Sequence, residues 1–270
     1  MAMWNRRAET LAGAELEKVR ASRLTKTLRR AWTNERYRAL LDKHGVSSID
    51  AITSVADISR LPLISAGDLV SPDSPFPLLC VGYRDILEIH RGSGKPFATP
   101  YTKGDLLVWA ECVARAFSAA GASQGDRASM PDDGGFFSGD AFGLYHGARK
   151  AGICSIPSSS GGLPSIAYKC SADSIRNVRT GESIALLGIP ETGGTGTIGC
   201  ECSKHDGFHV WEDCIYAEIV DGELVVTTLC LEAQPLIRYR TGLKARFVSR
   251  ERCLCGRTSP RIEILGDARS

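Results

Sequence analysis

Two short segments, far apart in the chain, constrain its fold more than anything else in the sequence. One runs Glu201-Cys202-Ser203-Lys204-His205-Asp206-Gly207-Phe208-His209 into Val210-Trp211-Glu212-Asp213; the other is Cys253-Leu254-Cys255-Gly256-Arg257-Thr258. Three thiolates and one imidazole form the ligand set of a closed tetrahedral structural zinc site. Filling such a site would tie the hairpin region to the segment after Val248 and leave no open coordination position for catalysis. Residue type alone lets Cys200 compete with Cys202 and His205 compete with His209. Unligated core cysteines and a redox disulfide are the alternatives to a metal.

The remaining cysteines bear on compartment. Ten would be many for a disulfide-free protein, yet they do not look like a secreted framework, because the chain is long and most sit alone in apolar surroundings; Cys80, Cys112, Cys154 and Cys230 read as small core hydrophobes. The start, Met-Ala-Met-Trp-Asn-Arg-Arg, lacks the apolar core of an export signal. A cytoplasmic location is therefore expected, where clustered thiols bind metal or do redox chemistry. The 33 basic and 31 acidic side chains nearly cancel, which gives no global field for nucleic acid or an anionic membrane. Arg20, Arg23, Lys26, Arg29, Arg30, Arg36 and Arg38 follow helical spacing and read as a solvated face. No basic–aromatic stripe supports a nucleic-acid-binding zinc module, and no apolar run is long enough to span a bilayer.

The 270 residues, 43% hydrophobic, suit one large soluble domain or two small ones. Leu16, Val19, Leu24, Leu28, Ala31, Tyr37, Leu40 and Leu41 give helical periodicity from about Glu9 to Gly45, and a proline-rich stretch of short pieces follows to residue 85. Ile86 to Ile89 reads as a strand and Arg91 to Pro96 as a Gly-rich loop. Thr102 and Asp105 form a capping box opening a helix with Leu106, Trp109, Val113 and Phe117 on its buried face. A second helix over 137–151, a buried strand at Ile153 to Ile156 and a strand at Ile184 to Leu187 continue the alternation. Ile215 to Val220 and Glu223 to Leu229 flank Asp221-Gly222, a two-residue hairpin signal. The expected fold class is α/β: a helical N-terminal region (1–85), a core of mainly parallel sheet with flanking helices (86–199) and a β-rich, zinc-braced subdomain (200–270).

Several of these stretches, in order, resemble the phenylacetate–CoA ligase family of AMP-forming adenylating enzymes. They include Ser59-Arg60-Leu61-Pro62-Leu63, Gly94-Lys95-Pro96, Tyr101-Thr102-Lys103-Gly104-Asp105-Leu106, Phe137-Ser138-Gly139 and Tyr145-His146-Gly147-Ala148. Ile156-Pro157 with Ser158 to Gly162, the Glu201 to Asp213 block, the segment from Gly222 to Arg240 and Cys253 to Thr258 complete the set. No single piece is decisive; their order and number make the likeness specific, and it runs over nearly the whole chain. The resemblance implies ATP-dependent activation of a carboxylic acid as an acyl-adenylate, followed by transfer to coenzyme A or another thiol. Positioning and charge stabilisation dominate such phosphoryl chemistry.

The resemblance also implies site residues. Lys95, with Ser93 and Gly94, stands in the family's phosphate loop; Ser159, Gly161 and Gly188 stand with the nucleotide-binding segments. Glu191 is the Mg²⁺ carboxylate, Arg240 reaches a phosphate, and Phe136 and Phe137 lie on the aromatic-acid side. Lys95, Glu191 and Arg240 form the implied catalytic set. The family's spacing selects Cys202, His209, Cys253 and Cys255 as metal ligands over Cys200 and His205. Each residue has a plainer reading: a turn for the Gly-Ser-Gly loop, a solvent-facing Glu191, a salt-bridged surface Arg240, and core packing for the two phenylalanines.

The sequence departs from the family at Leu187, where an aromatic would face adenine, at Pro190, at Leu243, where a ribose-binding aspartate is usual, and in a shortened 165–183 segment. The family's mobile C-terminal domain, with its lysine, is not recognised after Gly266. Expected cofactors are structural Zn²⁺, ATP or AMP with Mg²⁺, and coenzyme A as co-substrate. Expected partners are a small aryl or alkyl acid and a nucleotide, with a homodimer or a second chain supplying the missing domain, and neither nucleic acid nor membrane. The competing expectation is a zinc-stabilised relic that binds a nucleotide, acyl compound or protein without turnover.

Overall fold

The computed structural model describes residues 3–91, 98–131, 139–157, 166–171, 173–189 and 197–268. The chain opens with three helices, α1 (Arg6–Glu9), α2 (Gly13–Trp32) and α3 (Glu35–Lys43). The periodic run from Glu9 to Gly45 is thus divided, and Asn34 divides it. Its side chain caps α3 by accepting from the Tyr37 N–H, while its amide donates to the carbonyls of Pro77 and Leu79. Short 3₁₀ turns at Val55–Arg60, Ala66–Leu69 and Tyr83–Asp85 fill the proline-rich stretch; the first two open on capping boxes of Ser54 with Asp57 and Ser65 with Asp68.

Strands β1 (Ile86–Arg91) and β2 (Ala98–Thr102) form a two-stranded antiparallel sheet whose last pair is Arg91 with Ala98. Helix α4 (Lys103–Ala119) begins at the expected capping box, and Trp109, Val113 and Phe117 are buried along it. Then come β3 (Arg127–Met130), α5 (Gly139–Lys150), β4 (Cys154–Pro157), β5 (Tyr168–Ser171), β6 (Ser174–Asn177), β7 (Ser183–Gly188) and β8 (Thr197–Cys200). Strands β9 (Phe208–Val210), β10 (Ile215–Val220), β11 (Glu223–Thr228), β12 (Tyr239–Ser249) and β13 (Arg261–Asp267) complete the order.

Among the described residues, β3 to β13 build one eleven-stranded sheet in the order β10-β11-β12-β13-β9-β8-β7-β6-β5-β3-β4. This corrects the expectation of a mainly parallel sheet. Only β3 pairs in parallel, with β4 and with β5; every other pair is antiparallel. The physical reason is connection length. A parallel neighbour needs a crossover of a dozen or more residues, which α5 supplies between β3 and β4, whereas the short links around β6 permit only hairpin returns. The sheet passes through β8 and β9 without a break, so the α/β part and the β-rich part share it. The β10–β11 turn is as its sequence implies: Val220 pairs with Glu223, and Asp221 and Gly222 take φ of 51° and 80°.

Two buried arginines lock the layers. Arg115 of α4 donates to both carboxylate oxygens of Asp213, at 2.7 and 3.0 Å, tying the helix to the start of β10. Arg238, with φ of 49°, donates to the carbonyls of Ser59 and Leu61 and pairs with Glu218, clamping the N-terminal layer onto the β10–β12 hairpins. Cys154 differs from its expected core position: it lies exposed on β4, at the edge of the sheet.

Candidate functional site

The turn after β8 carries Cys202, the middle of β9 carries His209, and the tight turn between β12 and β13 carries Cys253 and Cys255. Strand pairing brings these turns together, because His209 is paired on one side with Cys200 of β8 and on the other with Arg261 of β13. Gly199 permits the β8–β9 approach: a Cβ there would lie 1.9 Å from the His209 carbonyl oxygen. The β12–β13 turn closes by hydrogen bonds from Cys253 N–H to the Arg257 carbonyl and from Gly256 N–H to the Cys253 carbonyl, at 2.9 and 2.8 Å.

The result is four buried side chains whose ligand atoms all lie within 4.8 Å of one another. The Cys202 and Cys253 sulfurs are 3.9 Å apart, and the Cys255 sulfur is 3.5 Å from His209 Nε2. Zn–S bonds of about 2.3 Å and Zn–N bonds of about 2.0 Å in a tetrahedron place ligand atoms roughly 3.4–3.8 Å apart, so the donor set fits that ion. The three cysteines form a satellite cluster separate from the main core. Of the competing residues, His205 is exposed beside Glu201, and burial pushes the Cys200 thiol up to about 12.

Outer contacts orient the donors. His209 Nδ1 lies 3.2 Å from Ser259 Oγ. With Nδ1 donating there, the Nε2 lone pair faces the sulfurs. The Cys255 N–H donates to the Cys253 sulfur, and Arg257 donates to the Cys255 sulfur. The Cys255 thiol is held well below its ordinary value, first because the Cys202 thiol donates to it; His209 adds to this against the opposing effect of burial. Arg257 also forms a fully buried ion pair with Glu9, at 2.7 Å, which seats α1 against the cluster. Ser259, Arg257 and Glu9 were not singled out from the sequence. Arg257 and Ser259 follow the second cysteine pair closely enough to have been candidates, whereas nothing in the sequence linked Glu9 to them.

Of the other expected site residues, Arg240 lies on β12 with its guanidinium half exposed and donating to Glu223 at 2.6 and 2.8 Å. It lines a cavity of about 290 Å³ with Ser65, Gly67, Gly242 and Ala268. Gly188 ends β7 and pairs with Thr197 of β8. Leu243, in the usual aspartate position, is paired across the sheet with Asp267. Ser93, Gly94, Lys95, Phe136, Phe137, Ser159, Gly161 and Glu191 lie outside the described residues.

The flanks of two of those segments are fixed. Residues 92–97 start and end at the Arg91–Ala98 pair, and residues 190–196 lie between Gly188 and Thr197. Helix α4 packs against β2, β7 and β8, so one helix supports both sets of flanks. Beside the first set, His90 and His146 both place Nε2 on a single Glu88 oxygen, at 2.8 and 3.2 Å. Burial alone would raise the Glu88 carboxyl, but the two imidazole contacts outweigh it and hold it below its usual value. This trio was missed in the sequence, although Glu88 and His90 sit two apart and share a strand face.

No protein-family model matches the chain. It is 31% identical to the phenylacetate–coenzyme A ligase of Thermus thermophilus, over 98% of this chain and 73% of that enzyme. It is 30% identical to the corresponding ligase of Aromatoleum evansii, over 84% of this chain and 65% of that enzyme. For the Escherichia coli K12 ligase the values are 29%, 86% and 67%. The chain therefore spans between 65% and 73% of the length of these relatives. Its fold is similar to that of 2-hydroxyisobutyryl–CoA ligase in the postadenylation state with R3-HIB-AMP (TM-score 0.83, 19% identity, 98% of this chain and 70% of that one). The same ligase with 2-HIB-AMP and CoA in the thioesterification state gives a TM-score of 0.79, covering 98% of this chain and 71% of that one.

Proposed function

Because the chain belongs to the phenylacetate–coenzyme A ligase family, we propose that it activates a small aryl or alkyl carboxylic acid with ATP and passes the acyl group to coenzyme A or another thiol. The substrate carboxylate oxygen attacks the α-phosphorus, a new P–O bond forms, and pyrophosphate leaves. The thiol sulfur then attacks the acyl carbon, and AMP leaves. The observation that carries this reading is sequence likeness running through 98% of the chain rather than through one motif.

In this reading Ser93, Gly94 and Lys95 receive the polyphosphate, Ser159, Gly161 and Gly188 border the nucleotide, and Glu191 meets the Mg²⁺ that accompanies ATP. Arg240 neutralises phosphate charge, and Phe136 and Phe137 contact the acid's side chain. Donors fixed before the reaction act most strongly where negative charge grows on the departing phosphates. The strand pairs Arg91–Ala98 and Gly188–Thr197 support that role by anchoring the two segments at their roots.

Cys202, His209, Cys253 and Cys255 hold one zinc ion in the same reading. Its contribution is a cross-link, since four protein ligands complete a tetrahedron. The test is acid-dependent pyrophosphate release with coenzyme A and a panel of aryl and short alkyl carboxylates. Turnover above the no-acid background for at least one acid is expected. Background rates throughout, with saturable ATP binding retained, would favour the second reading, a nucleotide-binding relic. Leu243 supports that alternative, because an alkyl side chain cannot accept hydrogen bonds from a ribose.

A further inference from the structure

Away from the Cys/His cluster, three thiols converge where α2 and α4 meet the root of the β10–β11 hairpin. Cys214 immediately precedes β10, and Cys230 follows β11. The Cys214 carbonyl accepts from Leu229 N–H at 2.7 Å, so the two cysteines are diagonal neighbours across the hairpin ends. Arg23 of α2 presents one guanidinium nitrogen to both sulfurs, 3.6 Å from Cys214 and 3.1 Å from Cys230. Their separation cannot exceed the sum of those distances. Both sulfurs also face Asp213: Cys214 Sγ donates to its carboxylate at 3.5 Å and Cys230 Sγ to its carbonyl at 3.8 Å.

Cys112 and Cys214 are buried, and a cavity borders the group. This cavity, of about 440 Å³, is walled by Cys214 and Cys230 together with Arg23, Arg115, Glu111 and Lys150; Cys112 is not on its wall. Cys230 is half-buried, and all three cysteines are free thiols.

We propose that Cys214 and Cys230 form a reversible peroxide-reactive dithiol, with Cys214 the attacking sulfur and Cys230 the resolving one. Thiol hydrogen bonds from Cys112 and Cys230 hold Cys214 well below the usual thiol value, and the charges of Arg115 and Arg23 add to this against the effect of burial. The Cys230 thiol is raised, which keeps its proton in place until it is needed. A thiolate beside a guanidinium, with a resolving thiol at hand, is the setting in which sulfur oxidation is selective.

The steps balance as follows. The Cys214 thiolate attacks one oxygen of a hydroperoxide; an S–O bond forms, the O–O bond breaks, and the departing alkoxide or hydroxide takes a proton from water. Cys214 is thereby oxidised by two electrons to the sulfenic acid. The Cys230 sulfur then attacks Cys214: the S–S bond forms, the S–O bond breaks, and hydroxide leaves with the Cys230 proton as water. A dithiol reductant returns both thiols by exchange.

The sequence makes the test clean, because no Lys or Arg lies between His205 and Ile237. Cys214 and Cys230 therefore share one tryptic peptide, 205–238, which holds no other cysteine. The full-length, zinc-supplemented protein is treated with one equivalent of hydrogen peroxide, then denatured, alkylated and digested. Most of the 205–238 peptide should lack both alkyl groups and have lost two hydrogens, and dithiothreitol before alkylation should reverse this. In C230S the sulfenic acid should persist on Cys214 and be captured by dimedone. Both sulfurs remaining alkylatable in the wild type would overturn the proposal, as would a cross-link to the peptide containing Cys112. The wild-type mass measurement stands on its own if C230S does not fold.

Discussion

His209 has a separate task for each of its ring nitrogens. Nε2 faces the sulfurs, while Nδ1 is held by Ser259. Removing the Ser259 hydroxyl frees the ring to rotate and change tautomer, and partners of this kind are worth about 10–100-fold in metal affinity. Ser259→Ala should therefore lose zinc to a competing chelator at a correspondingly lower chelator concentration, with little change in fold by circular dichroism. An unchanged competition curve would mean that the imidazole needs no such support. Arg238 and Arg240, two residues apart, differ just as sharply. Arg238 is a buried clamp, while Arg240 turns toward a cavity beside Glu223. Residue type did not distinguish them, and two-residue spacing would put both on one strand face; Arg238, at φ of 49° just before β12, stands outside that alternation.

Among the elements, the narrow β8–β9 contact depends on Gly199. In Gly199→Ala the new methyl would overlap the His209 carbonyl, and relieving it must separate two strands that both lead into the cluster. Overpacking of this kind costs about 1–3 kcal/mol. A lower melting temperature together with weaker zinc retention is expected, measured side by side on the two proteins; a normal melt with normal zinc content would contradict the account.

The N-terminal segment is held on α4 by Glu111, which accepts from Trp4 Nε1 and Asn5 Nδ2 at 3.0 and 2.9 Å and meets Arg115 and Lys150. Burial alone would raise this carboxyl, but the two hydrogen bonds and the two cations outweigh it and keep it below its ordinary value. A depressed acid contributes its stability above the unfolded carboxylate value of about 4.3 and loses it as pH falls through the lower folded value. The gap in melting temperature between wild type and Glu111→Gln should therefore be constant at neutral pH and close only below about pH 4.3. A gap that closed at neutral pH would contradict it.

The elements most legible in the sequence were those with a local chemical signature. The Thr102/Asp105 box opens α4, and Asp221-Gly222 turns β10 into β11, both as expected. The four-residue strands β3, β5 and β6 carry too little alternation to be seen, and without them the antiparallel returns were invisible. The Cys/His set could be assembled because the family resemblance supplied its spacing, where residue type alone left Cys200 and His205 in competition. Its supports could not, since Glu9 and Arg257 meet only through the folded chain.

At the scale of the molecule, one sheet joins the Cys/His cluster to β7 and β8, which flank residues 190–196, and α4 packs across those strands and across β2 of the separate two-stranded sheet. Among the described residues no helix is long and apolar enough to cross a membrane. Sequence likeness carried the family, and the fold is separately similar to that of 2-hydroxyisobutyryl–CoA ligase over 98% of the chain. The balanced charge left substrate identity to the site itself, where the residues that would read the acid lie outside the described segments.

The most direct test is of the first half-reaction. The protein, in stoichiometric amount, is mixed with ATP, Mg²⁺ and an aryl carboxylate in the absence of any thiol, then quenched and analysed by mass spectrometry. The account predicts an acyl-adenylate that accumulates with one pyrophosphate for each one formed and disappears when coenzyme A is added. Intact ATP and acid, across the acid panel and with zinc bound, would contradict it.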